Sequence, residues 1–299
     1  MPPIYPGLTA SHRPPLPGGG RVMLSGRMPL EVILIDWARD PLQKLYAAYR
    51  TCYSPKTPGE VWGEIHDGTI SGEKIRDFIS ERLKTGHASP LEQVVFWFGI
   101  SGVSRSLSHQ FVRHRIGISF EQQSQRYVRF KEDRLEYVRP KTWDKAGLGE
   151  DYDRLMAEVT RVYLKALDQG IPAEDARFVL PNAAPTNFQV MVNFTELLHI
   201  ADLRLCWRAQ WEIRHMVALM RREVVKRVPE LGGQLQPKCG DRRMGYCDEP
   251  LDEWKRCPIG KVRPHKEQLF EILEHHRRGS AVPLTEKDIR EVEDAGNEA

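Results

Sequence analysis

The chain has 299 residues, 40% hydrophobic and 28% charged, a composition that suits an ordinary globular protein of one large domain or two modest ones. Forty-four basic residues against 41 acidic ones leave a net charge of +3, too near balance to indicate a polyanion partner, so a nucleic-acid reading must rest on a local patch. No apolar run reaches the length of a transmembrane helix, and five cysteines in a long chain without an export signal point to a reduced, cytoplasmic protein.

Residues 1–28 are rich in proline and glycine and read as a disordered tail, with Met23 or Met28 as a candidate natural start. "PLEVILIDWA" (29–38) then predicts a strand, and "LQKLYAAYRTCYS" (42–54) a helix. "SGEKIRDFISERLKTG" (71–86) places Ile75, Phe78, Ile79 and Leu83 on one stripe, with Ser71 to cap its start and Gly86 its end. "EQVVFWFGISG" (92–102) has the β-branched and aromatic density of a strand, and "SRSLSHQFVRHR" (104–115) fits a short helix that stops near Gly117. "RYVRF" and "LEYVRP" read as extended. A helix over 151–170 follows, with Tyr152, Leu155, Met156, Val159, Tyr163, Ala166 and Leu167 as its stripe. "IPAEDARFVLP" (171–181) predicts a second short helix with Pro172 in its first turn, and "TNFQVMVNF" (186–194) a strand. Thr195 is then placed to cap one uninterrupted helix of about 50 Å, at about 1.5 Å per residue. Strands and helices alternate without regular βαβ units, so the expected class is α+β, a mixed sheet with a large helical layer.

The stretch that carries chemistry is "RHRIGISFEQQSQRY" (113–127). Gly117 allows the chain to turn between Arg113 and Arg126 and bring both to one place. Arginine forks suit phosphate oxygens, whereas Gln122, Gln123, Ser124 and Gln125 suit the edge of a heterocycle. Gln110 and Arg113 lie three apart, on one face of the preceding helix. A nucleotide with a phosphate end and a base end fits this composition. A solvated basic face is the plain alternative. A groove for single-stranded nucleic acid is another, since 113–139 holds seven Lys or Arg and four acids, interleaved with Phe120, Tyr127, Phe130 and Tyr137.

"RHR", a spacer and "SxRY" resemble the motif of flavin-dependent thymidylate synthases, with eight residues in the spacer where the family has seven. "GHASPLEQVVF" (86–96), "IPAEDARFVLP" and "LRLCWRAQWEI" (203–213) resemble three further family segments, in the same order, and the likeness runs from about residue 29 to 230. The resemblance implies the family's fold and the reductive methylation of dUMP to dTMP. Methylenetetrahydrofolate would give the carbon, FAD reduced by NADPH the hydride, and homotetramers would share their sites between subunits. No nucleic acid and no membrane is expected as a partner.

Carried over by motif, Gln110, Arg113, Gln122, Gln123, Ser124, Gln125, Arg126, Arg177 and Arg204 would line the dUMP site, with Arg177 on the phosphate. Ser89, Glu92, Arg113, His114, Arg115, Gln122, Asn193, Thr195 and His199 would contact FAD. Arg204 is the principal catalytic candidate, with Ser124 closest to the uracil ring, because a planar, always-charged guanidinium can stabilise charge developing on the uracil imide. Glu121 and Gln122 stand where the family often has Asn and Glu, and Thr195 stands where some members have Arg. Cys52 lies in a segment that the family places near the flavin, and reads as a buried small residue rather than a nucleophile. A non-catalytic FAD- or dUMP-binding relative is a further alternative, which Ser124, Arg126 and Arg204 argue against.

Past residue 235 the resemblance thins, so the expected organisation is a tail (1–28), a catalytic domain (29–235) and a cysteine-containing extension (236–299). Cys239, Cys247 and Cys257, with His265, could hold structural zinc. Their spacings of seven and nine residues contain no CxxC pair, so free thiols and no metal are the default reading. "HKEQLFEILEHHRRG" predicts a helix, and the residues beyond it a charged, fraying end.

Overall fold

The fold is built on a four-stranded sheet in the order β1-β2-β4-β3, where β1 is Glu31–Trp37, β2 Val95–Ser104, β3 Ile118–Gln122 and β4 Pro185–Asn193. The computed structural model describes residues 29–130 and 136–277, so the 1–28 tail and the charged end beyond 277 lie outside the described residues. Every strand pair is antiparallel, which corrects the mixed sheet suggested by the order of elements. The α+β class with a large helical layer stands. Alternation along β2 buries Phe96, Phe98 and Ile100 on one face. Against that face pack Ile213, Met216, Val217, Met220 and Val224, which share one hydrophobic core with Val190 and Val192 of β4.

Before β2 come α1 (Pro41–Tyr53), α2 (Pro58–His66) and α3 (Gly72–Arg82). Ser71 caps α3 through Lys74 N–H as expected, but the helix ends by Leu83, short of Gly86. After β2, α4 spans Arg105–Phe111, so Arg113 lies beyond the helix rather than on its face. α5 (Lys141–Lys145) and α6 (Gly149–Asp168) follow, with Tyr152, Met156 and Tyr163 buried and Leu155 turned outward. α7 (Ala173–Ala176) runs into a 3-10 turn, Arg177–Val179. "RYVRF" is turn and irregular backbone, not a strand.

The predicted 50 Å helix is two helices, α8 (Phe194–Arg204) and α9 (Trp211–Arg227), with α10 (Pro229–Gly232) after them. Gln210 starts α9 by accepting from Glu212 and Ile213 N–H through its side-chain oxygen, at 3.0 Å each. The cap of α8 is Asn193, whose Oδ1 accepts from Glu196 N–H at 2.9 Å, and not Thr195, whose buried hydroxyl has no hydrogen-bond partner. Asn193→Ala should therefore cost about 1 kcal/mol of stability, whereas Thr195→Val should be nearly neutral. Urea denaturation of the two variants checks the assignment, and the opposite ranking would return the cap to Thr195.

In the extension, α11 (Leu251–Arg256) and α12 (Lys266–Arg277) flank a 3-10 turn. Arg243 joins this region to the end of α8 through Asp202, with Nε donating to Oδ2 at 2.6 Å, and Lys238 N–H donates to the Asp202 carbonyl at 3.0 Å. Among the described residues no helix is long and apolar enough to cross a membrane.

Candidate active site

The RHR segment leaves α4 and reaches β3 through Gly117, whose φ of 70° lies in the left-handed region. A Cβ at Gly117 would lie 2.3 Å from the Asn193 side-chain nitrogen, and the Gly117 carbonyl accepts from Asn193 N–H at 2.7 Å. This close approach holds the motif against the start of α8. β3 pairs with β4 in unbroken register from Ile118 to Gln122, and Gln123 N–H continues the pairing to the Asn187 carbonyl, so the extra spacer residue makes no bulge there.

His114 turns inward and is buried. Its Nδ1 lies 2.8 Å from Glu196 Oε1, and its Nε2 accepts from Arg204 Nε at 3.2 Å. An acceptor at Nε2 requires the proton on Nδ1, so the ring is neutral and donates to Glu196. Burial, then the Arg204 charge and the neighbouring His199 ring, lower the His114 pKa to about 4, and burial raises that of Glu196. Arg204 also donates through Nη2 to the Gln110 carbonyl at 3.3 Å. Burial, followed by neighbouring Arg113, lowers its pKa, but a guanidinium keeps its charge at neutral pH. Glu196, His114 and Arg204 thus form one hydrogen-bonded row that fixes the guanidinium.

His114, Glu196 and His199 bring donor atoms within 4.8 Å of one another. They do not make a metal site, because both His114 nitrogens are already engaged. Arg113 and Arg115 are exposed and, among the described residues, neither meets a carboxylate. That uncompensated positive charge, with the orphaned Thr195 hydroxyl, fits the diphosphate and polar edges of a dinucleotide such as FAD. Ser89 and Glu92 stand exposed on the 3-10 turn Ser89–Gln93, which packs against α8, the helix that bears Thr195 and His199.

The other end of α4 gathers a second basic group. Arg126 donates through Nε to Glu174 Oε2 at 2.9 Å, and Arg177 through its own Nε to the Glu174 carbonyl at 3.0 Å. Arg105 joins them: its Nη2 donates to the Gln123 carbonyl at 2.9 Å, and its buried Nε has no partner. Burial, then Arg177, lowers its pKa. Arg105 was not among the sequence candidates. Its signal lay in "VSRSL", a cation one residue past a strand of otherwise apolar and small residues.

Between the two ends stand the amides. Gln122 donates to Thr186 Oγ1 at 3.1 Å, Gln123 accepts from Asn187 at 2.9 Å, and the buried Gln125 amide nitrogen has no partner. Ser124 Oγ accepts from Arg126 N–H at 3.2 Å, which shapes the turn at the motif's end. Arg105 and Gln110 are five residues apart on α4, about 7.5 Å along its axis, comparable to the reach from phosphate to base in a mononucleotide.

The aromatics that suggested a stacking groove are used elsewhere. Phe120 packs edge-on to Phe111 with ring centroids 5.1 Å apart, Phe130 packs on Tyr163 at 6.3 Å, and Tyr137 is buried. Tyr127 alone of the four is exposed. Cys52 is exposed, which corrects the expectation of a buried small residue.

Residues 33–230 match the family model described as thymidylate synthase complementing protein. A flavin-dependent thymidylate synthase of Nitratidesulfovibrio vulgaris is 42% identical over 227 residues, covering 73% of this chain and 91% of the relative. One from Pyrococcus abyssi is 36% identical over 253 residues, covering 82% and 98%. Among solved structures, a UMP/dUMP methylase PolB from Streptomyces cacaoi bound with 5-Br dUMP superposes with a TM-score of 0.57 at 22% identity, over 70% of this chain and 95% of that one. That last likeness bears on the fold alone.

Proposed function

The chain belongs to the flavin-dependent thymidylate synthase family, and from that membership we propose how its residues divide the reaction. The enzyme methylates dUMP to dTMP, with methylenetetrahydrofolate as carbon donor and FAD and NADPH as its redox partners. FAD, reduced by NADPH, supplies the hydride when bound. The observation that carries our residue assignment is the two-ended arrangement along α4, with a fixed guanidinium at one end and a basic group at the other.

We assign the dUMP phosphate to Arg126 and Arg177, with Arg105 beside them. Planar forks give bidentate, charge-assisted bonds to its oxygens. The uracil would then lie towards Gln110, Arg113 and Arg204, with Gln122, Gln123, Ser124 and Gln125 along its edge and Ser124 nearest the ring. Arg204 is the catalytic residue in this assignment. Charge developing on the uracil imide meets a cation whose direction is already set, so little reorganisation is needed as the barrier is crossed. His114 acts as a positioning residue: its neutral ring accepts from Arg204 and carries no competing charge. Arg113, Arg115, Asn193, Thr195 and His199, with Ser89 and Glu92, would hold FAD.

We further infer a homotetramer with shared sites. Ile116, Tyr127 and Phe178, beside the site, are 82%, 78% and 83% exposed, more apolar surface than a solvent-facing loop needs. Light scattering on the purified protein reads the mass directly. Five unpaired cysteines support a reducing, cytoplasmic setting. We keep 29–235 as the catalytic domain and 236–299 as an extension, a division supported by the family match ending at residue 230.

Protein reconstituted with FAD, dUMP, methylenetetrahydrofolate and NADPH should yield dTMP. Arg177→Ala should raise the dUMP dissociation constant about tenfold or more, the loss expected for a charge-assisted bond of about 1.5–3 kcal/mol, while FAD absorbance stays. A variant that loses flavin and keeps nucleotide affinity would reverse the phosphate assignment.

A further inference from the structure

Four of the five cysteines face one half-enclosed cavity of about 140 Å³, although they come from four separate stretches of chain. Cys206 lies in the break between α8 and α9, two residues after Arg204. Cys239, Cys247 and Cys257 belong to the extension. Trp207 and Trp254 wall the same space. None of the four is in a disulfide. His265, the fourth ligand that the sequence offered, is not part of it: its Nε2 lies 2.7 Å from the Glu249 carbonyl, and the ring does not line the cavity.

Two features bear on what the cavity takes. A single water needs roughly 10–15 Å³, so the space is about ten times what one water requires. Around one tetrahedral zinc, with Zn–S bonds of about 2.3 Å, the sulfurs sit about 3.8 Å apart. Among the described residues the three-donor group that closes within 4.8 Å is His114, Glu196 and His199; the cysteine sulfurs form no such group. Four thiols spread round a wider space suit a polynuclear centre, in which different sulfurs bind different metal atoms. Cys257 is followed by Pro258, the Cys-Pro pair that also closes the ligand run of bacterial iron–sulfur sites.

The surroundings fit such a centre. The cavity wall is mostly apolar, which screens a cluster from solvent. Lys238, Arg208 and Arg214 line it as well, with Glu249 and Glu253; Arg208 already pairs with these two carboxylates, which leaves Arg214 to offset part of the charge that four thiolates bring. Lys238 is itself fixed by Asp248 at 2.6 Å and Glu249 at 2.7 Å.

We propose that Cys206, Cys239, Cys247 and Cys257 ligate an iron–sulfur cluster that fastens the extension to the catalytic domain at the α8–α9 break. The full chain, purified without oxygen and then treated with ferric iron, sulfide and a thiol reductant that brings part of the iron to the ferrous state, should hold iron and acid-labile sulfide in equal amounts, about two to four of each. After dithionite reduction it should give a low-temperature paramagnetic resonance signal distinct from a flavin radical. Cys206→Ser and Cys247→Ser should each lose most of the iron and sulfide, while Cys52→Ser, whose thiol is outside the cavity, should keep both. One zinc per chain with no iron would overturn the cluster in favour of a single-ion site. Neither metal bound after reconstitution of the wild-type chain would overturn the site altogether, and that result does not depend on how any variant folds.

Discussion

Arg204→Lys should lower dTMP formation by about a hundredfold or more, the usual effect of losing one oxyanion-type donor, while reduction of the flavin by NADPH is largely spared. Arg204 bonds both the His114 ring, through Nε, and the Gln110 carbonyl, through Nη2, and its remaining N–H groups are thereby aimed in one direction. Lysine keeps the charge but concentrates it on one nitrogen, which cannot hold both partners and still face a ring edge. Rapid mixing separates the two half-reactions. Equal losses in both, or an unchanged rate of dTMP formation, would make Arg204 a structural residue.

Acidification should destabilise the enzyme through His114. Its folded-state pKa is about 4 against an ordinary 6.5, so the unfolded chain binds the extra proton between these values. The contribution is therefore complete above about pH 6.5, falls as the pH drops, and is fully lost below about 4. The shift corresponds to about 3 kcal/mol for a side chain this deeply buried. Glu196, raised by burial, acts in the opposite sense, since its folded form takes up a proton earlier as the pH falls. Denaturant melts from pH 7.5 to 4 should show the wild-type decline, and His114→Gln, which cannot titrate, should flatten it. The same substitution should slow dTMP formation more than it weakens FAD binding, because a flexible amide cannot hold Arg204 against Glu196 as rigidly as the ring does. An identical pH slope in the variant would assign the decline to other groups.

Much of this was legible where local signals and tertiary packing agree. The β-branched and aromatic run of β2, and the Ile75, Ile79 and Leu83 stripe with its Ser71 cap, declare themselves in sequence because one face of each is buried. α2 carried an equally clear signal, Thr57 capping Glu60 N–H with Glu60 bonding back to Thr57 and Pro58 in the first turn, yet its nine residues are too short for periodicity to stand out. The α8–α9 break was hidden because "LCWRAQ" contains neither glycine nor proline. Its cause is tertiary: Gln210 caps a new helix there, and Arg214 of α9 donates to the carbonyls of Trp207 and Ala209 that the break leaves open. In the site, the motif named Arg113 and Arg126 as candidates, and the segments "IPAEDARFVLP" and "LRLCWRAQWEI" named Arg177 and Arg204. The inward turn of His114 and the partnerless Arg105 nitrogen depend on contacts across 82 residues and more, or on burial, and no spacing rule carries those.

The α8–α9 break also bears on how two arginines tolerate each other's company. Because α8 stops at Arg204, that guanidinium sits at the carboxyl end of a helix, where the aligned peptide dipoles leave partial negative charge. The carbonyl it grips, that of Gln110, belongs to the last turn of α4, a second carboxyl end. One cation thus lies in the favourable field of two helix termini, each worth about 0.3–1 kcal/mol, which counters burial and the repulsion of Arg113. Had the long helix run on unbroken, Arg204 would occupy its middle, where the field along the axis cancels, and the charge would have lost one of these two supports.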